Sequence, residues 1–258
     1  MKLQWVLMGL SLSGSMTLHA ETLAQFEQRL IQKYDQTGSA GGRIEADQYN
    51  QQIADAVSQK LKSDPKSFDY AFQQLTDRNL LRVHYSPDRK LKVYTLDVSS
   101  GGSMRFFENL LQYRQGTQVK TQALDDRELI KSIQQTDLAN TTTYMLLDHG
   151  VWSNCEGSIR IAAYQFNSKG LVQAPVFQTK RKSLNQIQVP YRCSAFPDNS
   201  PYASDYSVIA DGMVQAAKNM QYIDIRLMNK ALVPQQKFLR YQKQGSVYQY
   251  IGVVPAET

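Results

Sequence analysis

Residues 141–173, TTTYMLLDHGVWSNCEGSIRIAAYQFNSKGLVQ, decide the fold. The segments TTTYMLLD and SIRIAAYQF are typical of strands, and residues 167–170, NSKG, indicate a hairpin turn after the second one. Between the two strands, DHGVWSNCEG brings an acid, a histidine, a tryptophan, a serine and a cysteine into ten positions. The stretch therefore predicts antiparallel strands, and its middle is either a catalytic cluster or a corner held by a disulfide.

The period-two pattern of strands extends to both sides of this stretch. Leu129, Ile130 and Ile133 interrupt it at helical spacing, so we predict one helix over residues 125–135 with Asp125 as its N-cap. The remaining strand candidates are LRVHYSPDRKLKVYTLDV around a Ser-Pro-Asp-Arg turn, MRFFENLLQYR, TQVKTQAL, LVQAPVFQTK, YIDIRLM, KFLRYQK and SVYQYIGV.

Residues 21–79 have the apolar spacing of helices instead. A third helix in this segment is expected to begin at Asp64-Pro65, where the acid can cap the first turn. The predicted fold is α+β: a short helical segment over residues 21–79 and a mainly antiparallel β-sheet body over residues 80–258, together forming one compact domain. A β-propeller would need a blade signature repeated about every 40–50 residues, and none is found. The two helical rows are Leu23, Phe26, Leu30 and Tyr34, followed by Tyr49, Ile53, Val57 and Leu61.

Residues 1–20 have the parts of an export signal. Lys2 precedes an apolar stretch from Leu3 to Leu12, and small residues lead to a cleavage point after Ala20. The stretch is shorter than the roughly twenty residues that span a bilayer, and no later segment is apolar enough. We therefore predict a soluble periplasmic or secreted protein with no membrane span, and the sequence leaves its oligomeric state open.

Cys155 and Cys193 are the only cysteines of the chain. In an exported protein, two cysteines are most simply one disulfide, with a free reactive thiol or a metal pair as the alternatives. The metal reading is weak because only His84 and His149 remain after signal removal, and neither has the spacing of a metal motif. No metal and no cofactor are predicted.

The common nucleotide, zinc-protease, thiol-redox and serine-elbow motifs are absent from the sequence. Removal of the signal leaves 28 basic and 23 acidic side chains. This modest positive excess fits adhesion to an anionic envelope surface, and it has no basic stripe that would indicate nucleic-acid binding.

Three residues of the opening stretch are candidates for catalysis: Asp148, His149 and Ser153. A periplasmic hydrolase acting on an envelope substrate could use His149 as base, Asp148 behind it and a serine from elsewhere. The competing interpretation is that Asp-His-Gly ends a strand. A further acidic cluster, Asp125, Asp126 and Glu128, could serve glycoside hydrolysis but is equally expected at the start of the predicted helix.

Aromatic residues indicate binding more than catalysis. The chain contains 15 tyrosines, many in predicted strands, where they can contact a ligand or pack across the sheet. We select Trp152, Tyr94, Tyr113 and Tyr164 as candidate contact residues. The function predicted first is non-catalytic binding of an envelope protein, a glycan, or a toxin or enzyme that the protein inhibits.

The cysteine pairing predicts that the exported protein has no free thiol. Titration of the unfolded, unreduced protein with a thiol reagent is expected to detect none, and two thiols after reduction. Two reactive thiols before reduction would contradict the bridge.

Overall fold

The structure is a computed structural model that describes residues 21–38, 43–99, 103–153, 156–192 and 212–256. The predicted leader, Cys155 and Cys193 lie outside these ranges, so the cleavage and the disulfide stay predictions. The segment Asp205–Met220, which the sequence leaves between helix and loop, is described only from Gly212.

The described chain begins with helices α1 (Leu23–Gly38) and α2 (Arg43–Ser63). As predicted, Asp64 accepts a hydrogen bond from the Lys66 amide, but the element that it caps is a four-residue 3-10 helix (Pro65–Phe68). A left-handed backbone at Phe72 (φ 53°) separates this turn from the short α3 (Gln73–Asp77). None of the described helices has the length and hydrophobicity needed to cross a bilayer.

The rest of the described chain is β-structure in three sheets. Almost all neighbouring strands are antiparallel, because short turns join most of them, and only a two-residue pairing between β9 and β15 is parallel. The strands are β1 (Arg82–Tyr85), β2 (Leu91–Asp97), β3 (Phe107–Gln115), β4 (Gln118–Leu124), β5 (Leu129–Leu138), β6 (Thr141–Val151), β7 (Glu156–Asn167), β8 (Gly170–Gln173), β9 (Phe177–Gln178), β10 (Ser183–Leu184), β11 (Gln186–Arg192), β12 (Val214–Ala216), β13 (Tyr222–Met228), β14 (Pro234–Gln244) and β15 (Val247–Pro255).

The sheets pack in layers: the first and second sheets contribute side chains to a core on each of their faces, and the third sheet contributes to one core. The first sheet has the order β1-β2-β3-β4, the second β11-β7-β6-β5 with β8 beside β7, and the third β10-β9-β15-β14-β13-β12. One apolar core joins the helices to the first sheet, another joins the first sheet to the second, and a third joins the second sheet to the third. The fold class is α+β with a β-rich body.

The predicted helix over residues 125–135 is wrong, because residues 129–138 form strand β5. The register of β5 against β6 shifts at Lys131, so that Ile130 faces Asp148 and Ile133 faces Leu146. This β-bulge puts Ile130 and Ile133 into the same core although they are three residues apart. A spacing of three is also the spacing of a helix face, which explains the error.

Candidate functional site

Asp148 and His149 point to opposite faces of β6, as successive residues of a strand do. The Asp148 carboxylate accepts three hydrogen bonds from the Arg160 guanidinium, whereas His149 Nε2 lies 2.6 Å from the hydroxyl of Tyr191. Asp148 therefore does not orient the imidazole. The dyad that the hydrolase alternative requires is not formed.

His149 is a buried residue, only 2% exposed, beside the core between the second and third sheets. Burial lowers the pKa of His149 to about 4, and the positive charge of Lys131 acts in the same direction. Ser153 follows Trp152 in the turn between β6 and β7, where its amide donates to the carbonyl of Glu156. The structure thus separates the three predicted catalytic residues.

A pocket of about 550 Å³ opens where the segment before β3, the segment before β5, the end of β6, the middle of β7 and strand β8 meet. Its wall includes three of the six large hydrophobic side chains that are exposed in the described residues: Met104 (46%), Phe106 (37%) and Trp152 (44%). The Arg127 guanidinium lies 5.6 Å from the centre of the Phe106 ring. Trp152, a predicted contact residue, therefore lies at a concave surface and not on an open one.

The polar end of this pocket is an ion cluster around Arg160. Its guanidinium pairs with Asp126 and with Asp148, at 2.7 Å from Asp148, and its Nε lies 3.8 Å from Glu128 Oε2. These side chains are largely buried, with Asp148 at 1% and Arg160 at 10% exposure. Gly150 permits the close packing, because a β-carbon there would lie 2.9 Å from Glu128 Oε1.

The cluster holds three carboxyl groups against one guanidinium. Burial raises the pKa of Asp148 well above its ordinary value, and a hydrogen bond with Glu128 together with its negative charge adds to the rise. Burial also lowers the pKa of Arg160. Glu128 Oε2 accepts no hydrogen bond from the described residues. This oxygen is itself enclosed by the protein.

Hydrogen bonds to backbone carbonyl groups hold the walls of the pocket in place. The buried Asn109 side chain of β3 donates to the carbonyls of Asp126 and Glu128 at 2.9 and 2.7 Å. The Arg105 amide donates to the carbonyl of Val151, and the Phe107 amide donates to the carbonyl of Arg127. The aromatic wall and the acidic segment are therefore anchored to both sheets before any ligand binds.

The other predicted contact residues divide between this pocket and the core. Tyr164 of β7 lines the pocket but is only 4% exposed and also packs in the core between the first and second sheets; its hydroxyl accepts a hydrogen bond from Gln173. Tyr94 is fully buried under the helices and donates to the carbonyl of Ser67, and Tyr113 is 5% exposed in the core between the first and second sheets. Tyr94 and Tyr113 thus pack the core and are not surface contacts.

Arg160 and Asn109 were not predicted as site residues from the sequence. A signal for Arg160 was present, because it is the single charge in the apolar segment SIRIAAYQF, as Asp148 is in TTTYMLLD. Pairing those two strands places Asp148 directly opposite Arg160. Asn109 has no such signal, since its partners are carbonyl groups of a segment 17–19 residues away.

Neither a family model, nor a curated protein, nor a solved structure matches this chain. Within the described ranges, no group of three or more histidine, cysteine, aspartate or glutamate side chains is placed to hold a metal ion. Function is therefore inferred from the pocket itself.

Replacing Arg160 by leucine is expected to lower the free energy of unfolding by about 3–5 kcal/mol, because the buried carboxylates lose their counter-charge. Urea denaturation measures the change. Arg192→Leu is the matched control: Arg192 pairs with Glu156 in the same sheet at 2.7 Å, but its side chain is 55% exposed, and its loss should cost less than about 1 kcal/mol. Equal losses for the two variants would contradict the central role of Arg160.

Acidification is expected to destabilise the protein through His149. Because its folded pKa is lowered to about 4, the folded state binds fewer protons than the unfolded state between that pH and about 6.5. The stabilisation is present above pH 6.5 and is lost as the pH falls towards 4, by about 3 kcal/mol at most. His149→Gln should flatten this part of the stability–pH curve, measured by urea denaturation. Parallel curves for the two proteins would show the prediction to be wrong.

Proposed function

We propose that the chain is an exported, non-catalytic binding protein that holds a segment of an envelope glycan in the pocket between Trp152 and Arg160. The observation that carries this proposal is the composition of one cavity, in which exposed apolar and aromatic side chains face a buried cluster of carboxylates and a guanidinium. Export is proposed from the leader pattern of residues 1–20.

A sugar ring fits this arrangement because it has apolar C–H faces and a polar edge. The rings of Trp152 and Phe106 can pack against such faces, while the Glu128 carboxyl group, whose side chain is 20% exposed, can accept from a hydroxyl group. Gln122 and Gln173 line the same pocket; their side-chain amides donate to the Leu171 carbonyl and the Tyr164 hydroxyl, and each keeps a second N–H for a ligand. A volume of about 550 Å³ has room for a few linked sugar rings.

Binding is favoured over hydrolysis by the state of the carboxyl groups. A catalytic carboxyl group must reach the glycosidic bond. Asp148 is 1% exposed and bound by Arg160, and Asp126 also pairs with that guanidinium. The carboxyl groups of the pocket that keep exposure are Asp125 and, at 20% of its side chain, Glu128. Both can bind hydroxyl groups, whereas Asp126 and Asp148 are held by the guanidinium and are not available as an acid–base pair.

The proposed disulfide supports the same site. Glu156 and Arg192, the chain neighbours of the two cysteines, lie directly opposite each other in the β7–β11 ladder. A Cys155–Cys193 bridge would hold the turn that begins at Trp152.

Trp152 gives a direct test. The only other tryptophan, Trp5, is removed with the predicted leader, so the fluorescence of the exported protein reports on the pocket. We expect β-1,4-linked N-acetylglucosamine oligomers to change this fluorescence saturably, and purified peptidoglycan sacculi to pull the protein down. Trp152→Ala should weaken co-sedimentation with sacculi by about tenfold, as expected for one aromatic packing contact.

The matched control is Tyr34→Ala, which removes another exposed aromatic side chain (38%) from helix α1 and should leave binding unchanged. Glu128→Gln should weaken binding as well, because it replaces the charged acceptor by a neutral amide. The proposal fails if neither probe binds, or if Trp152→Ala binds sacculi as well as the parent protein.

A further inference from the structure

The positive charge of this protein is concentrated in the last third of the chain. Residues 21–175 contain 18 basic and 18 acidic side chains, whereas residues 176–258 contain 10 basic and 5 acidic ones. Most of the described residues of this range belong to the third sheet. They include one acidic side chain, Asp224, and Arg240 already pairs with it at 2.7 Å. In its described residues, the third sheet with its turns is thus strongly basic.

Three consecutive basic residues, Lys180, Arg181 and Lys182, form the tip of the β9–β10 hairpin and are exposed. The turn is held by Thr179, whose side chain accepts hydrogen bonds from the amides of Arg181 and Lys182. None of the ion pairs among the described residues involves these three side chains. Their charges are therefore available to an external anion.

Exposed apolar side chains lie next to this hairpin on strand β15. The Lys180 ammonium is 5.9 Å from the centre of the Tyr250 ring, and Ile251 and Val253, which follow on the strand, are 47% and 50% exposed. The described pairing of β9 with β15 covers only Tyr248 and Gln249, so it ends before these two residues. Exposed Lys237 lies opposite Pro255 on the neighbouring strand.

We propose that this surface, formed by the basic hairpin tip, Ile251, Val253 and Lys237, binds the surface of an anionic phospholipid bilayer. Basic side chains adjacent to exposed aliphatic ones are the composition of interfacial membrane-binding segments, where the aliphatic groups enter the headgroup boundary and the cations bind phosphate. A polyanion alone would account for the lysines and the arginine but not for two exposed β-branched residues beside them. The bilayer is therefore the occupant that both observations favour.

The test is co-sedimentation of the exported protein with phosphatidylcholine vesicles that contain either no or 30% phosphatidylglycerol. Binding is expected to require phosphatidylglycerol and to weaken as salt screens the charges. The variant Lys180→Gln/Arg181→Gln/Lys182→Gln should lose binding on the order of a hundredfold, since each basic side chain near an anionic surface contributes about fivefold. Ile251→Ser/Val253→Ser should also weaken binding to the vesicles.

The matched control is Lys62→Gln/Lys66→Gln/Lys90→Gln, which removes the same charge from exposed lysines of the helical segment and of the β1–β2 turn, outside the third sheet, and should retain more binding than the hairpin variant. Trp152→Ala should bind vesicles normally, so a failure of the glycan proposal would not be mistaken for a failure here. Circular dichroism checks that each variant is folded.

Three outcomes would overturn the proposal. The first is no preference for phosphatidylglycerol, and the second is equal losses in the hairpin and control variants. The third is a combined result: Ile251→Ser/Val253→Ser binds vesicles as well as the parent protein, and heparin beads retain the protein through the same hairpin. That result would assign the basic surface to a soluble polyanion instead.

Discussion

Burial of both faces of the second sheet is the constraint on which the rest of the structure depends. Strands β6 and β7 lie between the core shared with the first sheet and the core shared with the third. A sheet covered on both sides needs apolar residues at nearly every position, which is why these strands lack the alternation of a half-exposed strand. Every polar group in such strands must find a partner inside the protein.

That requirement produces the pocket. Asp148 and Arg160 lie opposite each other in β6 and β7, where an unpaired charge would be very unfavourable, and they neutralise each other. The guanidinium has further donors, and these draw Asp126 towards the same point while Glu128 packs beside it. The segment before β5 thereby lies against Trp152 and Phe106, so that one cavity combines an aromatic wall with a charged floor. The polar groups of the pocket are therefore brought together by the pairing of buried charges.

The sequence predicted features that depend on neighbouring residues better than features that depend on contacts between distant segments. Helical rows such as Phe26–Leu30 and most of the long strands were predicted correctly because neighbours along the chain determine their periodicity. The bulge at Lys131 imitated a helical period and produced a false helix. In the site, Trp152 and the acidic cluster of residues 125–128 were identified from the sequence, but Asp148 was predicted to pair with His149. Strand alternation separates these two adjacent residues, whereas the register brings Asp148 to Arg160.

The sequence by itself determined the α+β class, the order of helices before strands, the residues of the two leading helical rows and the excess of basic side chains. Only the tertiary structure decided which charges meet, which tyrosines are buried and that most basic residues of the last third lie in the third sheet or its turns. The physical reason is that periodicity and composition are local properties of the chain. The partners of Arg160, by contrast, depend on strand register and on the packing of segments more than thirty residues apart.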